Sequence, residues 1–255
     1  MSMTTAWSRP ARPSQARPDV AELFAATPSR ALAIYAHPDD AEVSCGGTMA
    51  RWSAAGAEVH VVVCTRGDKG SSDPGIDPAE LADRRAGEVA AAGQALGLAG
   101  HCLLGYDDGA LEDTAAFRQQ LVGLVRSLRP DTVVCPDPTA MFFGQHYFNH
   151  RDHRIVGTAV LDAVAPAAGN PHYFPQAGPA HQVASVFLSG TLDADVWVDV
   201  SDHIDAKAEA LACHSSQIGG TGEWLRSAVR QRAEDAGRMA GVRYAEGFRR
   251  LLLQA

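Results

Sequence analysis

The chain has 255 residues, 46% of them hydrophobic and 20% charged, the proportions of a soluble globular protein and enough for one α/β domain with a few insertions. Its formal net charge is −8 and it has no long basic run, which argues against nucleic acid and anionic membrane surfaces as partners. No stretch approaches the ~18–20 apolar residues that a membrane span needs.

The opening segment, MSMTTAWSRPARPSQARPDV, carries Pro and Arg but no apolar core of a secretory signal. It reads as a flexible arm over residues 1–28, with a single domain over residues 29–255. The cysteines Cys45, Cys64, Cys102, Cys135 and Cys213 are odd in number and form no CxxC pair. They read as free thiols of a protein in the reducing cytoplasm rather than as disulfides or a thiolate zinc site.

Ala31–Ala36 is expected as a short buried strand and Val43–Ala55 as a helix closed by Gly56. Glu58–Thr65 (EVHVVVCT) is a second β-branched run without clear alternation. A Gly/Ser/Asp/Pro loop follows, then a helix over Pro78–Leu96, a strand over His101–Leu104 and a helix over Thr114–Leu128 that stops before Pro130. Thr132–Cys135 is a fourth strand, broken by Pro136 and Pro138. After TAMFFGQHYF comes NHRDHRIVGTAVLDAV. There Asn149 is placed to cap a helix with Asp152 three residues later, as in a capping box. Ala184–Leu188 and Val196–Val200 are later strands and Asp202–Cys213 a helix. The tail from Gly222 to Leu253 reads as helical.

Continuous apolar strands separated by helices argue for an α/β fold: a Rossmann-like, mostly parallel sheet with helices on both faces. Ligands of such sheets bind beyond the carboxyl ends of the strands, at the point where strand order reverses. In the common order the first and fourth strands are neighbours there. IYAHPDDAEVSCGG, leaving the first strand, should then face the His-rich loop after the fourth.

The groups that would meet are His37, Asp39, Asp40, His150, Asp152 and His153. Imidazole and carboxylate are the usual N/O ligands of zinc, and catalytic zinc keeps one of four positions open. Adjacent Asp39 and Asp40 resist ionising together unless a cation lies between them. If one binds a metal, its neighbour is free to act as a base on water. His150 and His153, three apart, share one side of a helical first turn, so one can ligate while the other reaches substrate. His146 extends the run to H-x3-H-x2-H, an alternative triad ranked lower because the loop before Asn149 breaks the helical register. Taken singly, each residue has a commoner structural role: a histidine after a strand, an aspartate capping a helix, a capping-box residue. Their convergence at two strand ends makes a metal centre the better reading.

Other signatures are missing. The sequence has no G-x-S-x-G elbow, no H-E-x-x-H helix and no phosphate-binding G-x-x-x-x-G-K-[ST] loop. CGGT is not a dinucleotide fingerprint. Gly46 and Gly47 instead read as sites of close helix packing. GDKGSSDPG could present backbone N–H groups to an anion, or be only a surface loop.

These motifs resemble those of the PIG-L/LmbE-like zinc deacetylases. The family's A-H-P-D-D segment falls at Ala36–Asp40 and its H-x-x-D-H segment at His150–His153. R-x-x-E at Arg85 and Glu88, GYDDGAL with Asp108, and KAEALACHSSQ from Lys207 to Gln217 support them, so the likeness runs from about Leu32 to Gln217. The resemblance implies a Rossmann-like fold and zinc ligands at His37, Asp40 and His153. It implies Asp39 as general base, His150 as acid or electrostatic partner, and Asp152 orienting it. Arg85 and Asp108 match positions that contact substrate in relatives, and His214 and Tyr147 are further candidates for substrate contact. Some members carry a tyrosine two residues before the first His of H-x-x-D-H; here Phe148 stands there and Tyr147 is one residue away.

The implied function is metal-dependent removal of an acetyl or other acyl group from the amide nitrogen of an N-acetylglucosamine-type conjugate. The expected partner is a small-molecule N-acyl amino sugar or glycoconjugate, and the reading leaves room for a homo-oligomer. The cofactor is Zn2+, although iron(II) suits the same N/O ligands. Two alternatives stand beside it. One is a metalloamidase acting on a thiol conjugate or an antibiotic-type N-acyl metabolite. The other is a non-catalytic metal- or sugar-binding module, which would have no need of an unligated Asp39 and His150.

Overall fold

A computed structural model describes residues 22–218 and 223–253. Its strands are β1 (Glu22–Leu23), β2 (Arg30–Tyr35), β3 (Glu58–Thr65), β4 (Gly100–Tyr106), β5 (Thr132–Pro136), β6 (Phe142–Phe143), β7 (Tyr147–Phe148), β8 (Ser185–Ser189), β9 (Val196–Asp199) and β10 (Ala245–Leu252). Its α-helices are α1 (Asp40–Ala54), α2 (Pro78–Ala95), α3 (Ala115–Leu128), α4 (Arg151–Asp162), α5 (Ile204–Ala212) and α6 (Glu223–Ala240). Strands β6 and β7 make a separate hairpin; the others form one sheet in the order β1-β9-β10-β8-β5-β2-β3-β4. From β8 to β4 all neighbours are parallel. Strand β10 runs antiparallel between β8 and β9.

The period-2 geometry of β2 explains why its sequence is apolar throughout. Leu32 and Ile34 face the core under α3 and α4. Ala31, Ala33 and Tyr35 face the opposite core, with Met49 and Trp52 of α1 and Val89 and Ala92 of α2. Helix α2 starts where Asp77 accepts from the Ala79 N–H at 2.8 Å, ahead of Pro78 in its first turn. Strand β2 pairs with β3 on one side and β5 on the other. The expected reversal of strand order therefore lies between β2 and β5, and the segments after Tyr35 and Pro136 share one crevice.

Two expectations need correcting. The tail is not helical throughout: α6 ends at Ala240, Gly241 turns the chain with φ 73°, and β10 follows. Ala245 and Phe248 enter the core, and Glu246 is buried against Lys207. The packed chain also begins before residue 29. Residues 1–21 of the expected arm lie outside the described residues. Glu22 and Leu23, however, pair with β9, the Phe24 N–H donates to Trp197 O at 2.7 Å, and the Phe24 ring packs on Phe187.

Helix α1 is two helical pieces joined at a kink, with Cys45 at φ −143° and ψ 22°. The break frees backbone groups inside the protein, and these need partners. Lys207 Nζ donates to Val43 O at 2.9 Å and to Glu246 Oε1 at 2.5 Å. The Glu246 carboxylate accepts from the N–H groups of Gly47 at 3.0 Å and Thr48 at 2.7 Å. The second piece is thus capped from β10. A Cβ on Gly46 would come within 3.1 Å of Lys207 Cγ, and one on Gly47 within 2.8 Å of Val200 Cβ. Both glycines serve close packing, as their sequence context indicates.

Candidate active site

The β2–α1 turn sets the first half of the site. Asp39 sits at φ 101° and ψ −25°, a left-handed conformation that is uncommon outside glycine, and its side chain makes no helix cap. Asp40 does not cap the helix either; its Oδ2 accepts from the His37 N–H at 2.8 Å. The two carboxylates of the turn diverge as a result. Asp40 points toward the histidines, whereas Asp39 lies 3.3 Å from Arg85 and borders the cleft.

Helix α4 sets the second half. Its N-cap is His150 rather than Asn149: His150 Nδ1 accepts from the Asp152 N–H at 3.2 Å. Asn149 does a different job. Its Nδ2 donates to Ala140 O at 2.9 Å, which turns Oδ1 toward His153 Nδ1 at 3.0 Å. The His153 Nδ1 therefore carries a proton, and Nε2 is the atom that would offer its lone pair to a cation. Gly157 lets α4 dock on the end of β5, where a Cβ would run into the Pro136 carbonyl and the Pro138 ring.

The two halves meet. His37 Nδ1 is 3.2 Å from His153 Nε2 and 3.3 Å from Asp40 Oδ2, and the latter two atoms are 3.2 Å apart. On the far side of the same ring, His37 Nε2 is 3.0 Å from Asp108 Oδ1 and 3.5 Å from Asp152 Oδ2. A nitrogen facing two carboxylates keeps its proton, so the His37 Nδ1 is the atom that would give up a proton to bind a cation. With a cation bound, two imidazole lone pairs and a carboxylate oxygen would converge on one point; without it, Asp40 beside Nδ1 favours a proton there. Ligand distances of about 2.0–2.1 Å around a tetrahedral zinc set donor–donor edges of about 3.3–3.4 Å. The observed triangle fits a metal ion of that size. Asp108 and Asp152 complete the carboxylate–histidine arrangement that fixes ligand tautomers around such ions. His150 also lies close enough to His37 and His153 to form a candidate ligand set, as Asp108 and Asp152 do with His37. Its Nδ1, however, is occupied at the helix cap, and the two carboxylates approach the protonated nitrogen of His37.

The electrostatics follow from this crowding. Burial alone would lower the His37 imidazole, but Asp108, Asp152 and Asp40 outweigh it and raise its pKa to about 12. Burial opposes ionisation of Asp40, yet His153 and His37 hold it well below the usual carboxylate range. Burial, then the neighbouring Asp40 charge, pushes Asp39 up to about 7, while Arg85 pulls it down. Burial, then the His37 charge, lowers His150. The two adjacent aspartates are thus driven apart, one to stay ionised and one to exchange a proton near neutrality.

The cleft above these groups measures about 470 Å³ and is lined by His37, Asp39, Asp108 and His150, with Lys69 and Gln217 on its walls. Among the residues expected at the substrate, Arg85 reaches the cleft but is largely occupied. It donates to Gly67 O at 2.9 Å and Pro38 O at 2.6 Å, bracing the turn that carries Asp39. His214 is fully buried, 3.4 Å from Glu42 Oε2, and has no surface to offer a substrate. Tyr147 is half exposed on the β6–β7 hairpin, outside the cleft lining. His146 makes no part of the cluster around His37. The sequence gives Lys69 and Gln217 no role at the site, and Asn149 only that of a helix cap. Only Asn149 left a signal, four residues before His153 and on the same side of the chain.

The layout defines a class: a doubly wound α/β protein with a His/Asp centre at the carboxyl edge of its sheet. Comparison with known proteins makes this specific. Residues 32–164 match the PIG-L family model, GlcNAc-PI de-N-acetylase, and the chain belongs to that family. It is 32% identical to the diacetylchitobiose deacetylase of Thermococcus kodakarensis, over 86% of this chain and 82% of that one. It is 30% identical to the 1D-myo-inositol 2-acetamido-2-deoxy-alpha-D-glucopyranoside deacetylase of Rhodococcus jostii, over 74% and 82%. Its structure resembles the inhibitor complex of N,N'-diacetylchitobiose deacetylase from Pyrococcus horikoshii, with a TM-score of 0.80 at 30% identity, covering 88% of this chain and 84% of that one.

Proposed function

We propose that the protein is a metal-dependent N-deacetylase acting on a small N-acetylglucosamine-type conjugate. The observation that carries the reading is the pairing of a three-donor triangle, His37, Asp40 and His153, with an adjacent carboxylate, Asp39, that is not part of it. Relatives described as deacetylases of N-acetylglucosaminyl compounds support the substrate class.

His37, Asp40 and His153 would hold the ion, with zinc the first candidate and iron(II) suited to the same donors. A divalent ion there supplies Lewis-acid polarisation of the acetyl carbonyl and a lowered pKa for water. Asp39, poised near neutrality, removes the proton from the attacking water. His150, with Nδ1 used at the helix cap, presents Nε2–H to the cleft. That N–H stabilises the developing oxyanion, and Asp39 passes the proton it has taken from water to the leaving amine. Asp152 is buried, accepts from the Gly109 N–H at 2.7 Å and faces His37, so it orients the metal ligand more directly than His150. Asp108 acts on the same imidazole from the cleft wall. The five cysteines are all unpaired, which supports a reducing compartment, the cytoplasm.

The test is a screen of metal-assayed protein against N-acetylated amino sugars and glycoconjugates, scoring acetate and new primary amine together. Release of both in equal amounts is the expected outcome. Release of other acids but not acetate would point instead to a metalloamidase of different specificity. Metal retention without turnover on any N-acyl compound would leave only a binding module.

A further inference from the structure

Helix α2 and the turn after α5 are joined by a hydrogen-bond relay that ends on the cleft wall. Glu88, on α2, is only 7% exposed. Its Oε1 accepts from Ser215 Oγ at 2.9 Å and from the Ser216 N–H at 2.7 Å, and its Oε2 accepts from Ser216 Oγ at 2.6 Å. Burial opposes ionisation of this carboxyl, but the hydrogen bonds from Ser216 and Ser215 hold its pKa below the ordinary value. Glu88 is therefore ionised at neutral pH and can only accept.

That charge decides the direction of the next link. Ser216 gives its hydroxyl proton to Glu88, so its Oγ has only lone pairs left, and Gln217 Nε2 donates to it at 3.3 Å. A carboxamide whose nitrogen is held in this way is fixed in one of its two flips. Its Oε1 is the atom turned away from the relay. Gln217 lines the cleft, and among the described residues no protein group donates to that oxygen. Gly70 marks the place. A side chain there would strike the Arg85 guanidinium and also Gln217, whose Oε1 lies 3.0 Å from the Cβ position. Arg85 in turn lies 3.3 Å from Asp39, so the carboxamide belongs to the Asp39 wall, with Arg85 linking the two. The acetamido group must reach Asp39 and the donor triangle. What remains of the sugar to meet Gln217 is its hydroxyl edge.

We infer that Gln217 Oε1 accepts a hydrogen bond from a hydroxyl of the N-acetylated sugar, and that Glu88 is a positioning residue which, through Ser216, keeps that oxygen facing the cleft. This rests on the deacetylase reading and gives a task to two residues outside the catalytic group. A glutamine at position 88 would reverse the relay. Its amide would donate to Ser216, the Ser216 hydroxyl would turn to Gln217, and the carboxamide would present N–H groups where an acceptor is needed.

The test uses the full zinc-loaded chain with Asp39→Asn in the background, so that ligand is not consumed. Calorimetry would measure the methyl glycoside of N-acetylglucosamine and its 3-, 4- and 6-deoxy forms. Gln217→Leu and Glu88→Gln are each expected to weaken binding of the parent sugar about three- to tenfold. Together they should weaken it no more than either alone, because Glu88 acts through Gln217. One deoxy sugar should bind all these variants equally well. Ser216→Ala should show the same loss and Ser216→Thr, which keeps the hydroxyl, should not; this pair and Gln217→Leu carry the test if Glu88→Gln fails to fold. Additive losses, equal losses for the parent and every deoxy sugar, or unchanged affinity would each overturn the inference, as would a failure of all four sugars to bind. Acetate release by the unmutated protein tests the deacetylase reading separately, because these affinities need no turnover.

Discussion

Asp39 stands in a backbone conformation that costs on the order of 1 kcal/mol or more for a non-glycine residue. Its carboxyl is pushed up to about 7 by burial and by Asp40. Both penalties fall on one residue at the cleft, as expected where function outweighs stability. The sign of the pH effect is fixed. Between the ordinary carboxylate range and about pH 7, the folded protein holds a proton here that the unfolded chain has released. Stability of the metal-free protein therefore falls as pH rises through that window and levels off above it. Asparagine tolerates the left-handed conformation and carries no charge. Asp39→Asn is expected to stabilise metal-free protein at pH 8, to keep metal, and to lose turnover by two or more orders of magnitude. In the unmutated protein, kcat/KM should decline below about pH 7, or lower once a cation adds its own field. Wild-type turnover in the variant, or a lower melting temperature at pH 8, would remove Asp39 from the role of base.

At the scale of elements, two docking contacts aim the site. Gly157 seats α4 against the end of β5, and the Lys207–Glu246 pair holds the kink of α1. The pair is buried on both sides, with side-chain exposures of 6% and 5%. Removing one partner leaves a buried charge and unfulfilled backbone groups. Lys207→Met alone should therefore cost about 3–5 kcal/mol in urea denaturation, whereas Lys207→Met with Glu246→Gln should cost much less than the sum of the two single changes. Simple additivity would mean that the pair is not what holds the kink. Neither contact could be assigned from sequence beforehand. KAEALACHSSQ marked Lys207, but its partner lies 39 residues on, in a segment whose arginines hid the strand.

For the whole molecule, the donor triangle joins the β2–α1 turn to α4, elements more than 100 residues apart in sequence. An ion bound there links the two sides of the switch point and binds only the folded state. Zinc at 100 times its dissociation constant should raise the unfolding free energy by about 2.7 kcal/mol. The shift should vanish in His153→Ala, with metal content measured alongside. A full shift in that variant would place the ion elsewhere. Among the described residues no helix is long and apolar enough to cross a membrane.

The sequence alone determined the parallel core, because strands buried on both faces must be apolar at every position, and that pattern survives without knowledge of partners. It also determined the residues that converge, because a strand end and a switch point follow from topology. It could not settle roles that depend on direction. Asn149 read as a cap and became the support of His153; Asp152 read both as a capping-box residue and as the group orienting His150 and became a buried partner of His37; His214 read as a candidate substrate contact and lies in the core. Only the tertiary structure decided these, since a side chain's job depends on which atoms from distant segments face it. The same reason separates Asp39 from Asp40. They are neighbours in sequence, alike in chemistry, and turned to opposite tasks by a single left-handed residue.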